Sequence, residues 1–490
     1  MRLDQYQWSR NPRGLHVASI YQSPLDVSRY SLPRMGWAKL MAAGYEYVDD
    51  AVHLLQQGIT PVVRIYLGAY GAGPFTREHQ AWVYAFAQVG VKWFEFYNEP
   101  NLGVEWPDGF NPDWRNFDGV IRPLIDNWLN FAEYCISLGC YPGFISLAES
   151  DTPQYAAVPW MDTFLNYLAS AHSERFRYIL DNGMYVATHP YILNHFYQER
   201  PGGGPYSVRQ PAEQNGQEGG WHFEYPYDPI SQRADPGRTV YGGTAQTPYG
   251  DPVGLIAMGR MFNERAAALF GAQAVPVLGT EGGIFPFRDT PHQQDRRYPP
   301  YDERSQAEAT LGMFNWIATQ APPWFFGVTL WKEDEYYLQS GGHVPAIDRL
   351  AGVQPLLKPV PSIEVMGAGP LPDWLATLPS PGPGPIHGQA DFHMVILSVG
   401  LESAWFFDTA QAYYNVFRPI VTTLPELISF VPPTRSVAVT LLTPPELADL
   451  MRRAILDQFP NVFIDLILTD NREHVRATFD DRARTQRRFG

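Results

Sequence analysis

Short apolar runs alternate with stretches of helical spacing over the first three-quarters of the chain. The runs are "LHVASI" (15–20), "YEYV" (45–48), "PVVRIYL" (61–67), "WFEFY" (93–97), "GFISLA" (143–148), "MYVAT" (184–188), "VPVLGT" (275–280) and "FGVTLW" (326–331). Strands apolar on both faces suit a parallel sheet covered by helices. Between them, "TREHQAWVYAFAQVG" predicts a helix that opens on the N-cap Thr76 and stops at Gly90. Residues 121–138 place Ile121, Leu124, Ile125, Trp128, Leu129 and Ala132 on one helical face, and a third helix is expected over about 253–270. Eight strand-helix alternations predict a (β/α)8 barrel, an α/β TIM-barrel fold, over residues 1–365. "YEYV" is the shortest of the eight strands.

The pattern then changes. Residues 366–388, "MGAGPLPDWLATLPSPGPGPIHG", read as a Pro/Gly-rich linker. Beyond it, 392–399, 435–442 and 461–469 are expected strands, and a helix opens at Thr443-Pro444. Residues 389–490 therefore predict a small α/β domain ending in the basic tail "RARTQRRFG". It carries no phosphate loop and no cluster of catalytic residue types.

Composition narrows the classes. Of 490 residues, 45% are hydrophobic and 18% charged, which supports a sizeable core. A formal net charge of −15 argues against a nucleic-acid partner. Two cysteines, Cys135 and Cys140, make neither a disulfide framework nor a metal site. No run approaches the length of a membrane span, and "MRLDQYQWSRNPRG" lacks the apolar centre of a signal peptide. The expectation is a cytoplasmic protein, or a secreted one if a leader was removed. The 28 Tyr, 28 Phe and 14 Trp fit either a dense core or a sugar-binding cleft, where rings stack on sugar faces.

In such a barrel the reaction centre lies at the C-terminal strand ends. The fourth strand ends Asn98-Glu99-Pro100, and the sixth ends in "THPY", with His189 and Tyr191. The seventh ends Thr280-Glu281-Gly282-Gly283, and the eighth ends Trp331-Lys332-Glu333. Two carboxylates on one rim suit glycoside hydrolysis, where one group donates a proton and the other is ionised. Close carboxyls ionise unequally, which divides the roles. Simpler roles exist for each: Glu99 as a turn cap, Glu281 as a loop residue, Trp331 as barrel filling. His189 could ligate a metal with His195 or His222, but no compact ligand spacing supports that.

The "NEP" with Glu95 four residues before Glu99, the "TEGG", the "HPY" and Trp331 together resemble clan A of the glycoside hydrolases, over roughly residues 10–350. The resemblance implies a retaining mechanism with Glu99 as acid/base and Glu281 as nucleophile. Asn98 would hold the sugar 2-hydroxyl, Tyr191 or His189 would contact the nucleophile or the sugar, and Trp331 would form the sugar platform. Arg64 matches the arginine usual near the second or third strand. The implied partner is a carbohydrate, with no metal or organic cofactor. Strand alternation turns Glu95 into the barrel, where an ion pair with Arg64 is expected. In the loop 192–274, Trp221, Phe223, Tyr225 or Tyr227 is expected to line the cleft, as are Trp106 and Trp114 after strand four. Two alternatives stand beside this reading. One is an inverting or transglycosylating enzyme using the same pair, and the other is a carbohydrate-binding protein on a silent barrel.

Overall fold

Strands buried on both faces need neighbours on both edges, and closure supplies them. In the computed structural model, eight parallel strands form a closed barrel. They are β1 (Arg13–His16), β2 (Trp37–Ala42), β3 (Thr60–Ile65), β4 (Trp93–Glu95), β5 (Tyr141–Phe144), β6 (Tyr185–Thr188), β7 (Val277–Gly279) and β8 (Phe325–Leu330). The structure describes residues 1–242, 247–284, 295–337, 344–360, 390–398, 400–432, 435–460, 462–485 and 487–489. The chain divides into two compact units, Met1–Ala368 and Gly369–Gly490. The linker expected over 366–388 lies outside the described residues.

The second strand differs from expectation. Residues 45–48 form a turn and the entry to a helix, Val48–Gln56; Tyr47 at its N-cap and Ala51 and Leu54 within it are buried at helical spacing. The strand is instead "WAKLMA", buried at every position and paired with β1 and β3. Lys39 interrupts its apolar run, and that charge masks a strand whose interior face needs a cation. The expected helices form as Arg77–Gln88, Arg122–Ser137 and Ala257–Phe270. Thr76 caps the first of these, its hydroxyl accepting from the His79 amide.

The barrel floor is an aromatic plug. Trp37, Trp93, Tyr141, Tyr185 and Phe326 fill it, and the N-terminal residues Tyr6 and Trp8 close it from below. Trp8 stacks on Phe326 at 3.9 Å between centroids, and Trp37 meets Trp93 edge-on at 5.1 Å. Polar side chains can therefore enter the barrel only above this floor. No helix among the described residues is long and apolar enough to cross a membrane.

The second unit is a parallel sheet in the order β10-β9-β11-β12: β9 (Phe392–Leu397), β10 (Ile420–Thr422), β11 (Val437–Thr443) and β12 (Phe463–Leu468). Two helices absent from the sequence reading, Ser403–Phe417 and Arg472–Thr485, pack together on one face. The first four residues of the basic tail, Arg482 to Thr485, close the second of these helices. Its Arg482 is buried and forks onto Asp465.

Candidate active site

The rim places its carboxylates through unusual backbone. Glu99 sits at φ +35°, in the left-handed region that a residue with a Cβ rarely adopts. After Glu281, Gly282 has φ +131°, and a Cβ there would lie 2.5 Å from the Pro190 carbonyl oxygen. Glycine thus lets the chain fold back across the end of β6. Tyr191–Ile192 and Gly283–Ile284 then pair in parallel above the rim. This ladder holds the tyrosine and the glutamate together: the Tyr191 hydroxyl donates to Glu281 Oε2 at 3.0 Å. His189 Nδ1 lies 2.6 Å from Glu99 Oε1 and 3.8 Å from Glu281 Oε2, bridging the two acids. One oxygen of each carboxylate and a ring nitrogen of His189 all fall within 4.8 Å of one another.

Below the rim, side chains sort by alternate strands, as layers do in such barrels. From odd strands come His16 (β1), Arg64 (β3) and Glu281 (after β7). Arg64 donates to both Asn98 Oδ1 and Glu281 Oε1, and His16 Nε2 stands 3.5 Å from Glu281 Oε1. From even strands come Lys39 (β2), Glu95 (β4) and Tyr185 (β6). Lys39 Nζ bonds Glu95 Oε2, and the Tyr185 hydroxyl donates to Oε1 at 3.0 Å. The expected Glu95–Arg64 pair is therefore corrected. The two residues are register neighbours on β3 and β4, but they belong to different layers. Lys39 takes Glu95, which leaves Arg64 to reach upward to Glu281.

Electrostatics separates the acids. Burial alone would raise the Glu281 carboxyl, but Arg64, His189 and His16 together hold it well below the usual carboxylate range. Burial lowers His189, yet Glu281 and Glu99 outweigh it and raise the imidazole above its ordinary value. His16 goes the other way: burial pushes it down to about 4 against the pull of Glu281. Its Nδ1 lies 2.6 Å from the Val17 carbonyl, so that nitrogen carries the hydrogen. Glu95 is buried, which opposes ionisation, but Lys39 and Arg64 keep it below the normal range. Burial brings Lys39 itself down to about 8. The result is an ionised Glu281 beside a second carboxyl that hydrogen-bonds an imidazole. Glu99, His189 and Glu281 also have the donor types to hold a metal ion. Arg64 already occupies Glu281 Oε1, however, and the cationic surroundings disfavour a second positive charge there.

Most residues singled out in the sequence meet at this point: Arg64, Asn98, Glu99, His189, Tyr191 and Glu281. Trp331 stands on the same rim, half-buried and edge-on to His16 at 4.5 Å. Trp221 does not join them. Its indole is buried against Phe196, Phe223 and the helix at Gly312, and its N–H donates to the Asn215 carbonyl. Phe223 and Tyr225 are buried too, and Tyr227 lies beneath the Arg260 guanidinium. Trp106 is also buried, its N–H on the Pro100 carbonyl, and the Trp114 N–H donates to the Pro153 carbonyl. Three site residues escaped the sequence reading: His16, Lys39 and Glu105, whose Oε1 accepts from Asn98 Nδ2 at 2.8 Å. A lone ionisable residue inside an apolar strand was the available signal for the first two.

No protein-family profile and no curated protein matches the chain. Among solved structures, it is similar to the exo-β-1,4-mannosidase Op5Man5 from Opitutaceae bacterium strain TAV5, with 11% identity and a TM-score of 0.33 over 91% of this chain and 80% of that one. A GH113 β-1,4-mannanase gives 11% and 0.28 over 71% and 98%. The Thermobacillus composti GH10 xylanase gives 11% and 0.27 over 67% and 99%. Identities and scores this low say nothing about which residues act, or on what.

Proposed function

We propose that the barrel is a retaining glycosidase that cleaves β-glycosidic bonds by double displacement, with Glu281 as nucleophile and Glu99 as acid/base. The observation that carries this reading is the approach of a Glu99 oxygen to a Glu281 oxygen within 4.8 Å. Nearest oxygens this close support the roughly 5–5.5 Å carboxyl separation of a retaining pair over the roughly 6.5–9.5 Å that admits a water in an inverting one. The depressed Glu281 supports its role, because a nucleophile must be ionised.

In the first step Glu281 attacks the anomeric carbon as Glu99 gives its proton to the departing glycosidic oxygen. Arg64 and Tyr191 keep Glu281 aimed and anionic until the ester forms. In the second step Glu99, now a carboxylate, takes a proton from water, which attacks the same carbon and releases Glu281. His189 follows the charge on Glu99 through its Nδ1 contact. Asn98, fixed by Arg64 on one side and Glu105 on the other, presents a rigid amide to a sugar hydroxyl. Trp331 offers a ring face beneath the sugar.

The test is turnover of aryl β-glycosides and β-linked polysaccharides by wild type, Glu99→Ala and Glu281→Ala. Both variants should lose activity. Azide should restore Glu281→Ala with an α-glycosyl azide as product, and Glu99→Ala with the β-azide. Full activity in either variant sinks the assignment. A wild type that binds sugars but turns none over would instead support a carbohydrate-binding protein.

A further inference from the structure

The loops after β3 and β4 enclose a cavity of about 210 Å³ beside the carboxylate cluster. Arg64 and Asn98 belong to both, so the cavity is continuous with the reaction centre. Tyr66, Tyr70 and Glu105 supply the rest of its chemistry. Its walls are tied together. The Gly71 amide donates to the Glu105 carbonyl at 2.8 Å, and the Tyr70 hydroxyl donates to the Pro74 carbonyl at 2.6 Å. Gly71 has φ +59°, and a Cβ there would lie 2.5 Å from Trp106, so the two loops meet at closest approach. A wall built this way is shaped before any ligand arrives.

The cavity is smaller than the ~300–1,000 Å³ typical of drug-sized ligands, so it suits a single ring. Its chemistry is selective. Glu105 engages Asn98 through Oε1, while Oε2 has no hydrogen-bond partner among the described residues. Among the described residues Arg64 is the one cation in the lining, and it is already bonded to Glu281. A ligand therefore meets ring faces, an open acceptor and no uncommitted positive charge.

We infer that this cavity is a subsite for one neutral sugar ring, and that Glu105 is its specificity-determining residue, accepting hydroxyl hydrogen bonds and rejecting a uronate carboxylate. That the ligand is a sugar rests on the glycosidase reading. Burial raises the Glu105 carboxyl, Asn98 and Arg64 oppose the rise, and Glu99 and Glu281 add to it. Rejection of a uronate should accordingly strengthen with pH as Glu105 ionises.

The experiment uses the full chain carrying Glu99→Gln, which slows turnover and keeps the Arg64–Glu281 pair. Calorimetry compares β-linked disaccharides of glucose, mannose and galactose with their uronate-terminated counterparts, with and without Glu105→Gln. Glutamine keeps the carbonyl that accepts from Asn98. A neutral disaccharide should bind at least about tenfold more tightly than its uronate, and Glu105→Gln should bring the two within about threefold. A ratio that Glu105→Gln leaves unchanged, a uronate bound as well as the neutral sugar, or no binding of any disaccharide overturns the inference. Wild-type hydrolysis of the matching aryl disaccharides separates this from the glycosidase reading. Selective binding without turnover removes that reading and leaves the subsite. Turnover with no Glu105-dependent ratio removes the subsite alone.

Discussion

Replacing Lys39 by methionine keeps all but the last atom of the side chain's length and removes the ammonium bonded to Glu95. Both side chains are almost fully buried, at 0% and 2% exposure. Beneath them lies the aromatic floor, so water has no path to solvate the stranded carboxylate. Breaking a buried pair in this way costs about 3–5 kcal/mol, because the remaining charge stays desolvated. The Tyr185 hydroxyl donates to Glu95 in both proteins and leaves the stranded carboxylate partly satisfied, which places the expected loss at the lower end, about 3 kcal/mol. Removing both charges, Lys39→Met with Glu95→Leu, should recover most of that, since an apolar replacement of a buried pair is often neutral. Urea unfolding at neutral pH, followed by far-UV circular dichroism, measures both variants. The pH dependence has a definite sign. Glu95 is depressed in the folded state, so its pairing contributes fully above its unfolded pKa and is lost as pH falls through the folded value. The gap between wild type and Lys39→Met should therefore be full at neutral pH and close in acid. A loss under about 1 kcal/mol for Lys39→Met, or a double variant no more stable than the single, would refute the layer argument.

Arg64→Met removes the strongest influence that keeps Glu281 ionised, so the acid limb of the kcat/KM profile should move up by about 1–3 pH units; an unmoved limb would mean that Arg64 does not set the state of Glu281. Gly71→Ala puts a Cβ at positive φ against Trp106 and should destabilise the barrel by about 1–3 kcal/mol in thermal unfolding. In the second unit, Arg482→Met strands the buried Asp465 and should cost about 3–5 kcal/mol. Hydrogen exchange of the β12 amides should speed up accordingly while that of the barrel amides stays unchanged.

Much of the site was legible because its residues sit at chain positions that alternation and turn chemistry define. Asn98, Glu99, His189, Tyr191 and Glu281 each lie within four residues of the end of a barrel strand, and the rim of a barrel gathers strand ends whatever the intervening loops do. The glycines after Glu281 were a readable signal as well, since a fold-back over a neighbouring strand excludes a Cβ. Pairing was harder to read. Glu95 and Arg64 are adjacent in register, which favoured the wrong partner, and misplacing β2 hid the right one. Trp221 misled for a related reason: an aromatic in a long loop after a strand can face the cleft or the loop's own core, and its burial against Phe196 and Phe223 is a packing outcome.

The sequence by itself determined the eight-fold alternation, the acids at the ends of the fourth and seventh strands, and the change of pattern beyond the Pro/Gly-rich stretch. These are local properties, carried by side-chain periodicity and by what glycine and proline permit. Tertiary structure alone decided that Lys39 neutralises Glu95, that Arg64 and His16 converge on Glu281, and that Glu105 closes a cavity against Asn98. The first two depend on the stagger of strands around a closed barrel, which brings together residues tens or hundreds of positions apart, and the third on how the loop after β4 folds back seven residues beyond Asn98. Periodicity records which face a side chain takes, whereas its depth in the barrel, and so its partner, is settled only when the sheet closes.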